Sequence, residues 1–177
     1  MDDDELRRAV RAHAYLEGDF VLRSGRRSRY YLDKYRFETR PDMLRAIGER
    51  LAVRVREHAP AAIRIAGPEL GAVALAAAAS LESGLPFLIV RKDAKGYGTG
   101  NRLEGMFEAG DEVCLVEDVV TSGGAAVSAV HALREAGLVC SNAICVVDRE
   151  EGGVDELARH AVRLRCLFTA SDVLSSA

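Results

Sequence analysis

No run in this sequence is both long and apolar enough to cross a bilayer; the alanine-rich Ala72 to Ala79 falls well short of the roughly 20 residues a span needs. The first residues, MDDDELRR, are acidic and lack the pattern of a secretory signal, so a cytoplasmic location is expected. A basic excess is missing too. The formal net charge is -3, and no basic helix or winged module stands out, which argues against a dedicated nucleic-acid binder. Cys114, Cys140, Cys145 and Cys166 form no CxxC or other metal-ligand spacing. Three of them sit in apolar, strand-like runs and read as reduced, mostly buried thiols. His13, His58, His131 and His160 all fall on expected helices or their ends, and none sits in a loop rich in other chemistry. They read as surface or helix-end residues rather than catalysts. Internal repeats and low-complexity linkers are absent. What remains is a chain of 177 residues, 49% apolar, which suits one domain at the usual roughly 100–200 residues each.

The chain is organised around Val113 to Ala125, VCLVEDVVTSGGA. The apolar run Val113 to Val116 is short, rich in β-branched residues and bounded by turn signals, so it reads as a buried strand. Glu117 and Asp118 follow. Neighbouring strand residues point to opposite faces, so a strand continuing through both acids would bury one of them unpaired, at a cost. The expectation is that the strand ends here and that both carboxylates reach its carboxyl edge, where open α/β sheets bind ligands. Thr121-Ser122-Gly123-Gly124 then leads into a helix over Ala125 to Ala136. Glycines, hydroxyls and free N–H groups at the positive end of a helix dipole form a cradle for an anion, best a phosphate. Carboxylates beside it suit the hydroxyls of an attached ribose, or a hydrated cation. An ordinary strand-loop-helix with a glycine-rich turn is the competing reading.

The rest of the chain supplies two more polar segments. A helix is expected over Asp4 to Leu16, ended by Gly18. Phe20-Val21-Leu22 and Tyr30-Tyr31-Leu32 then flank a polar turn as a hairpin. Arg23, Arg26, Arg27 and Arg29 lie in it, interleaved with Tyr30, Tyr31 and Tyr35. A solvated basic turn is one reading; stacking surface beside guanidinium groups for a flat anionic ring is the other. A helix over Pro41 to His58, a strand over Ala62 to Ala66, the turn Gly67 to Gly71, a helix over Ala72 to Ser83 and a strand over Leu85 to Val90 follow. Residues 91–111, RKDAKGYGTGNRLEGMFEAGD, are glycine-rich and carry Arg91, Lys92, Lys95 and Arg102. Non-periodic segments this long are usually functional or without order. The cations give this one a reason to close on an anion, as a lid. Ala143 to Val147 is the next strand, ending in Asp148-Arg149-Glu150-Glu151. A short helix over Val154 to His160 and a strand over Val162 to Phe168 complete the chain. Alternating strands and helices predict an α/β fold: a mostly parallel sheet flanked by helices, with residues 1–40 as a small hood over its carboxyl edge.

The stretch VCLVEDVVTSGGA resembles the diphosphoribosyl-binding motif of the type I phosphoribosyltransferases. GDFVLRSGRRSRYYLD, RKDAKGYG and VVDREEGG are similar, in turn, to the base-site hairpin, catalytic lid and Asp-Arg pair of the orotate branch of that family. Together these segments are spread along nearly the full length of the chain. The resemblance implies transfer of phosphoribose from PRPP to orotate, with Mg2+ held through PRPP and water, in a homodimer whose lid acts across the interface. It places Lys95, Lys92 and Arg91 on the pyrophosphate, with Tyr97 in the same lid. It places Glu117 and Asp118 at the ribose hydroxyls, with catalysis assigned to Lys95, Asp118 and Glu117. Val119 and Val120 belong to the PRPP motif, and Thr121, Ser122, Gly123, Gly124 and Ala125 surround the 5′-phosphate. Arg23, Tyr31, Thr121 and Arg149 fall at the orotate site. The departures suggest a divergent branch. Tyr97 stands where the best-known lids carry histidine, Arg23 where lysine is common, and Gly67 to Gly71 lacks a lysine many members have. A transferase for another base and a non-catalytic PRPP-sensing regulator are the alternatives.

Overall fold

The computed structural model of the chain describes residues 1–21, 25, 27–93 and 102–175. It opens with helix α1 (Asp3–Ala14), started by a capping box: Glu5 N–H donates to Asp2 at 2.7 Å and Asp2 N–H to the Glu5 carboxylate at 2.8 Å. Leu6, Val10 and Ala14 form its buried face. The helix stops two residues before the expected Leu16. Tyr15 and Leu16 instead pair with Leu32 and Tyr31 in the antiparallel hairpin of β1 (Tyr15–Val21) and β2 (Arg27–Leu32). Gly18, expected to end the helix, lies within β1. A one-turn helix, α2 (Tyr35–Glu38), then leads to α3 (Pro41–His58), which has the predicted bounds and proline in its first turn.

The central sheet is built from β3 (Arg64–Pro68), β4 (Phe87–Val90), β5 (Leu103–Glu104), β6 (Glu112–Val120), β7 (Val139–Asp148) and β8 (Arg163–Thr169), in the order β5-β4-β3-β6-β7-β8. All neighbours are parallel except β5, a short antiparallel edge strand inside the segment expected to be irregular. The connecting helices are α4 (Gly71–Ser83), α5 (Gly124–Glu135), α6 (Gly153–Arg159) and the short α7 (Ala170–Leu174). Successive strand residues alternate between two cores. Ile65, Cys114, Val116 and Ile144 pack with α1, α3 and α4, whereas Ala66, Leu115 and Cys145 pack with α5 and α6. Burial on both faces explains why these strands read as continuous apolar runs.

Two bounds differ in a way that matters for the site. β3 continues through Gly67 and Pro68, expected as a turn, because both residues pair with β4. β6 does not end at the acids: Glu117 pairs with Cys145 and the ladder runs on to Val120 against Asp148. Among the described residues no helix is long and apolar enough to cross a membrane. The four cysteines are free and lie on β6, β7 and β8. Burial raises every thiol, Cys140 to about 11, which keeps them from acting as nucleophiles.

Candidate active site

The carboxyl ends of β3, β6 and β7 meet the segment that leaves β2. Glu117 and Asp118, on β6, are 7% and 4% exposed. Both Asp118 oxygens are engaged: Oδ1 accepts the Val119 N–H at 2.5 Å and Oδ2 accepts the Lys34 ammonium at 2.5 Å. The Oε1 atom of Glu117 is buried with no hydrogen-bond partner. Burial, and next the Asp118 charge, push its carboxyl up to about 8. Ending the strand is the escape from an unpaired buried carboxylate that the sequence predicts. The chain instead extends the strand and keeps Glu117 protonated at neutral pH, because neutralising a buried acid costs less than burying its charge.

Glu38, at the end of α2, belongs to the same cluster. It is 4% exposed, and burial together with the charge of Asp118 and a hydrogen bond to it raise its carboxyl to about 8. Burial alone would lower the Lys34 ammonium; attraction to Asp118 outweighs it and leaves the group raised. Gly71, the first residue of α4, closes the cluster from β3. A Cβ there would lie 1.9 Å from Asp118 Oδ2 and 2.7 Å from Lys34 Nζ, so only glycine lets α4 come this close.

Past Val120 the chain enters the phosphate-type loop. Thr121, Ser122, Gly124 and Ala125 are exposed, and Gly123 takes φ 86° as it turns the chain into α5. No side chain caps α5, so its first N–H groups face outward. Val119 and Val120 are different: Val120 is buried in one core, Val119 packs against the other, and the Val120 carbonyl accepts the Arg149 N–H at 2.8 Å. Their side chains hold the loop rather than face it.

Arg149 emerges from β7 beside that loop. It is 7% exposed, its guanidinium lies 4.6 Å above the Tyr30 ring, and it pairs with Glu151 at 3.1 Å. Its Nε has no hydrogen-bond partner. Tyr30 stacks in turn on Tyr15, with centroids 5.6 Å apart. Tyr31, 41% exposed, packs against Phe20 on the same hairpin. At the base of the cationic segment, Arg91 lies 3.8 Å from Glu104, and the Lys92 N–H donates to Glu69 at 2.6 Å. Arg23, Lys95 and Tyr97 lie outside the described residues.

Acids and a helix N-terminus thus lie beside a buried arginine on an aromatic face. No family model matches the chain. Many relatives do, among them two over almost all of both chains. Orotate phosphoribosyltransferase of Methanocella arvoryzae is 47% identical over 175 residues, 98% of each chain. That of Halobacterium salinarum is 49% identical over 174 residues, 98% of this chain and 97% of the relative. The chain belongs to the orotate phosphoribosyltransferase family. Among solved structures, the Mycobacterium tuberculosis orotate phosphoribosyltransferase is similar with a TM-score of 0.86 and 30% identity, over 98% of this chain and 99% of the other. A second structure of that enzyme, in complex with PRPP, gives 0.80 and 28% over the same shares.

The parallel sheet flanked by helices is therefore that of the type I phosphoribosyltransferases. Lys34, Glu38 and Gly71 join the acid cluster without being among the residues expected from the sequence, whereas Tyr30 is one of the aromatics expected beside the arginines. Asp118 and its lysine are 84 residues apart, and a lone lysine among surface-type charges gives no local signal. Among the described residues no three His, Cys, Asp or Glu side chains are gathered to cage a metal. A hydrated Mg2+ keeps several waters and takes few protein ligands, so it would need no such cage and would be held mainly by substrate oxygens.

Proposed function

We propose that this chain transfers the 5-phosphoribosyl group of PRPP to orotate, giving orotidine 5′-monophosphate and pyrophosphate. The observation that supports this best is Arg149: a buried guanidinium on a tyrosine face, one strand away from a phosphate-type loop. An acidic flat ring answers both its charge and its surroundings: Glu151 engages Nη2, and the buried Nε is left for an anionic acceptor that a neutral purine does not supply.

In this reading Thr121 to Ala125 hold the 5′-phosphate on the N-terminus of α5. Asp118 and Glu117 take the ribose hydroxyls, and Arg149 with Tyr31, Thr121 and Arg23 takes the orotate. Breaking the bond from ribose C1 to pyrophosphate leaves positive charge on the sugar and negative charge on the leaving group. Lys95, Lys92 and Arg91 meet the second, and pre-placed charge of this kind is usually the largest catalytic contribution. Bound Mg2+ would supply further positive charge at the pyrophosphate. The segment of residues 91–111 acts as a lid that keeps water from the sugar cation, reaching across a homodimer interface. The test is orotate consumption with PRPP and Mg2+, followed by the loss of orotate absorbance and the release of pyrophosphate in equal amounts. Turnover of adenine or hypoxanthine in place of orotate would point to another base. PRPP binding without turnover of any base would point to a regulator.

A further inference from the structure

We propose that Lys34 is a positioning residue that holds Asp118 for the ribose of PRPP and links the base half of the site to the sugar half. The inference rests on the PRPP-binding reading above. Asp118 is the only acid of its cluster with both oxygens fixed in the structure, one by its own strand and one by Lys34. The two acids around it, Glu38 and Glu117, each have an unpartnered buried oxygen. Without the ammonium, Asp118 would face two carboxyl groups and no cation, with only its Oδ1 still held by the Val119 N–H. Held by Lys34, it presents one fixed orientation to an incoming diol.

The geometry leaves little freedom. Lys34 is partly enclosed, its side chain 30% exposed, and its ammonium lies 5.4 Å from the Tyr35 ring centroid. Gly71 packs so closely on both partners that a methyl group there would overlap Asp118. The link to the base side follows from chain connection. Lys34 comes four residues after Tyr30, whose ring lies under Arg149. Tyr30 to Lys34 is thus a short, partly β-paired segment that touches the base arginine at one end and the ribose acid at the other. Orotate that orders the Arg149–Tyr30 stack also orders Lys34, and PRPP that orders Asp118 acts back on Tyr30; such coupling is reciprocal.

The test is calorimetric binding of PRPP with Mg2+, and of orotate with and without PRPP, alongside steady-state kinetics. Lys34→Met should weaken PRPP binding and raise its KM by about tenfold, as loss of a charge-assisted contact does, with a much smaller change in kcat. The gain in orotate affinity that PRPP confers should shrink. Gly71→Ala keeps the lysine but displaces Asp118, so it should reproduce the PRPP defect even if Lys34→Met folds poorly. In the Asp118→Asn background Lys34→Met should have little further effect, because the two act as a unit. Unchanged or tighter PRPP binding in Lys34→Met, or an equally large loss in the Asp118→Asn background, would overturn the proposal. Failure of the unaltered chain to bind PRPP would overturn the functional reading instead, and this inference with it.

Discussion

Glu117 should cost the free protein stability at neutral pH, and replacing it with glutamine should return that stability while impairing PRPP binding. In the unfolded chain its carboxyl ionises near 4.5, in the folded chain near 8. Folding between those pH values therefore requires uptake of a proton. The contribution is most favourable below about 4.5 and is lost progressively as pH rises to about 8, beyond which it is constant. At about 1.4 kcal/mol for each pH step between 4.5 and 7, the cost at pH 7 is about 3 kcal/mol. Glutamine has nearly the same shape and no proton to take up, so Glu117→Gln removes this cost at pH 7 and changes little near pH 4.5. For a domain of this size 1 kcal/mol moves Tm by about 2–4 °C, so Tm should rise by roughly 6–12 °C at pH 7. Glu38 is raised in the same direction, but it is coupled to the same cluster, so a double variant should gain less than the sum. The assay is thermal unfolding of both proteins from about pH 4.5 to 8.5, with PRPP calorimetry at neutral pH. A Tm difference that does not change with pH would refute the protonated-acid argument. Unchanged PRPP affinity would refute the idea that this acid is kept for ligand binding at the expense of stability, a trade common at active sites.

Two further outcomes follow from the same site. Arg149→Ala should raise the KM for orotate by about tenfold or more and that for PRPP far less, because a charge-assisted hydrogen bond is lost at the base alone; steady-state kinetics in both substrates check this, and equal effects would remove Arg149 from a base-specific role. Lys95→Ala should lower kcat by about a hundredfold with a smaller effect on PRPP binding, since its partner charge is greatest in the transition state. Mixing Lys95→Ala chains with chains inactivated at Asp118 should restore activity once subunits exchange, because one site of each hybrid then carries neither lesion; flat activity despite verified exchange would place the lysine within its own chain.

Much of this protein is legible in one dimension because its decisive groups are contiguous. Val113 to Ala125 holds strand, acids, phosphate loop and helix start in one window, and Arg149 follows directly from an apolar run, so periodicity and turn chemistry suffice to order them. The helix over Pro41 to His58 is similarly local, with its proline start and apolar stripe. Tertiary structure decided what depends on surroundings. Residues 15–17 had helical company on one side, yet pairing with β2 drew them into a strand. Glu117 and Asp118 look alike as neighbours in the sequence. Only the fold gives one of them a lysine from 84 residues away and leaves the other buried without a partner, holding its proton. Lys34, Glu38 and Gly71 are ordinary residues in their own windows. They become part of the site because α2, α4 and β6 converge on one carboxylate, and the charge state of a buried acid is set by everything packed around it rather than by its place in the chain.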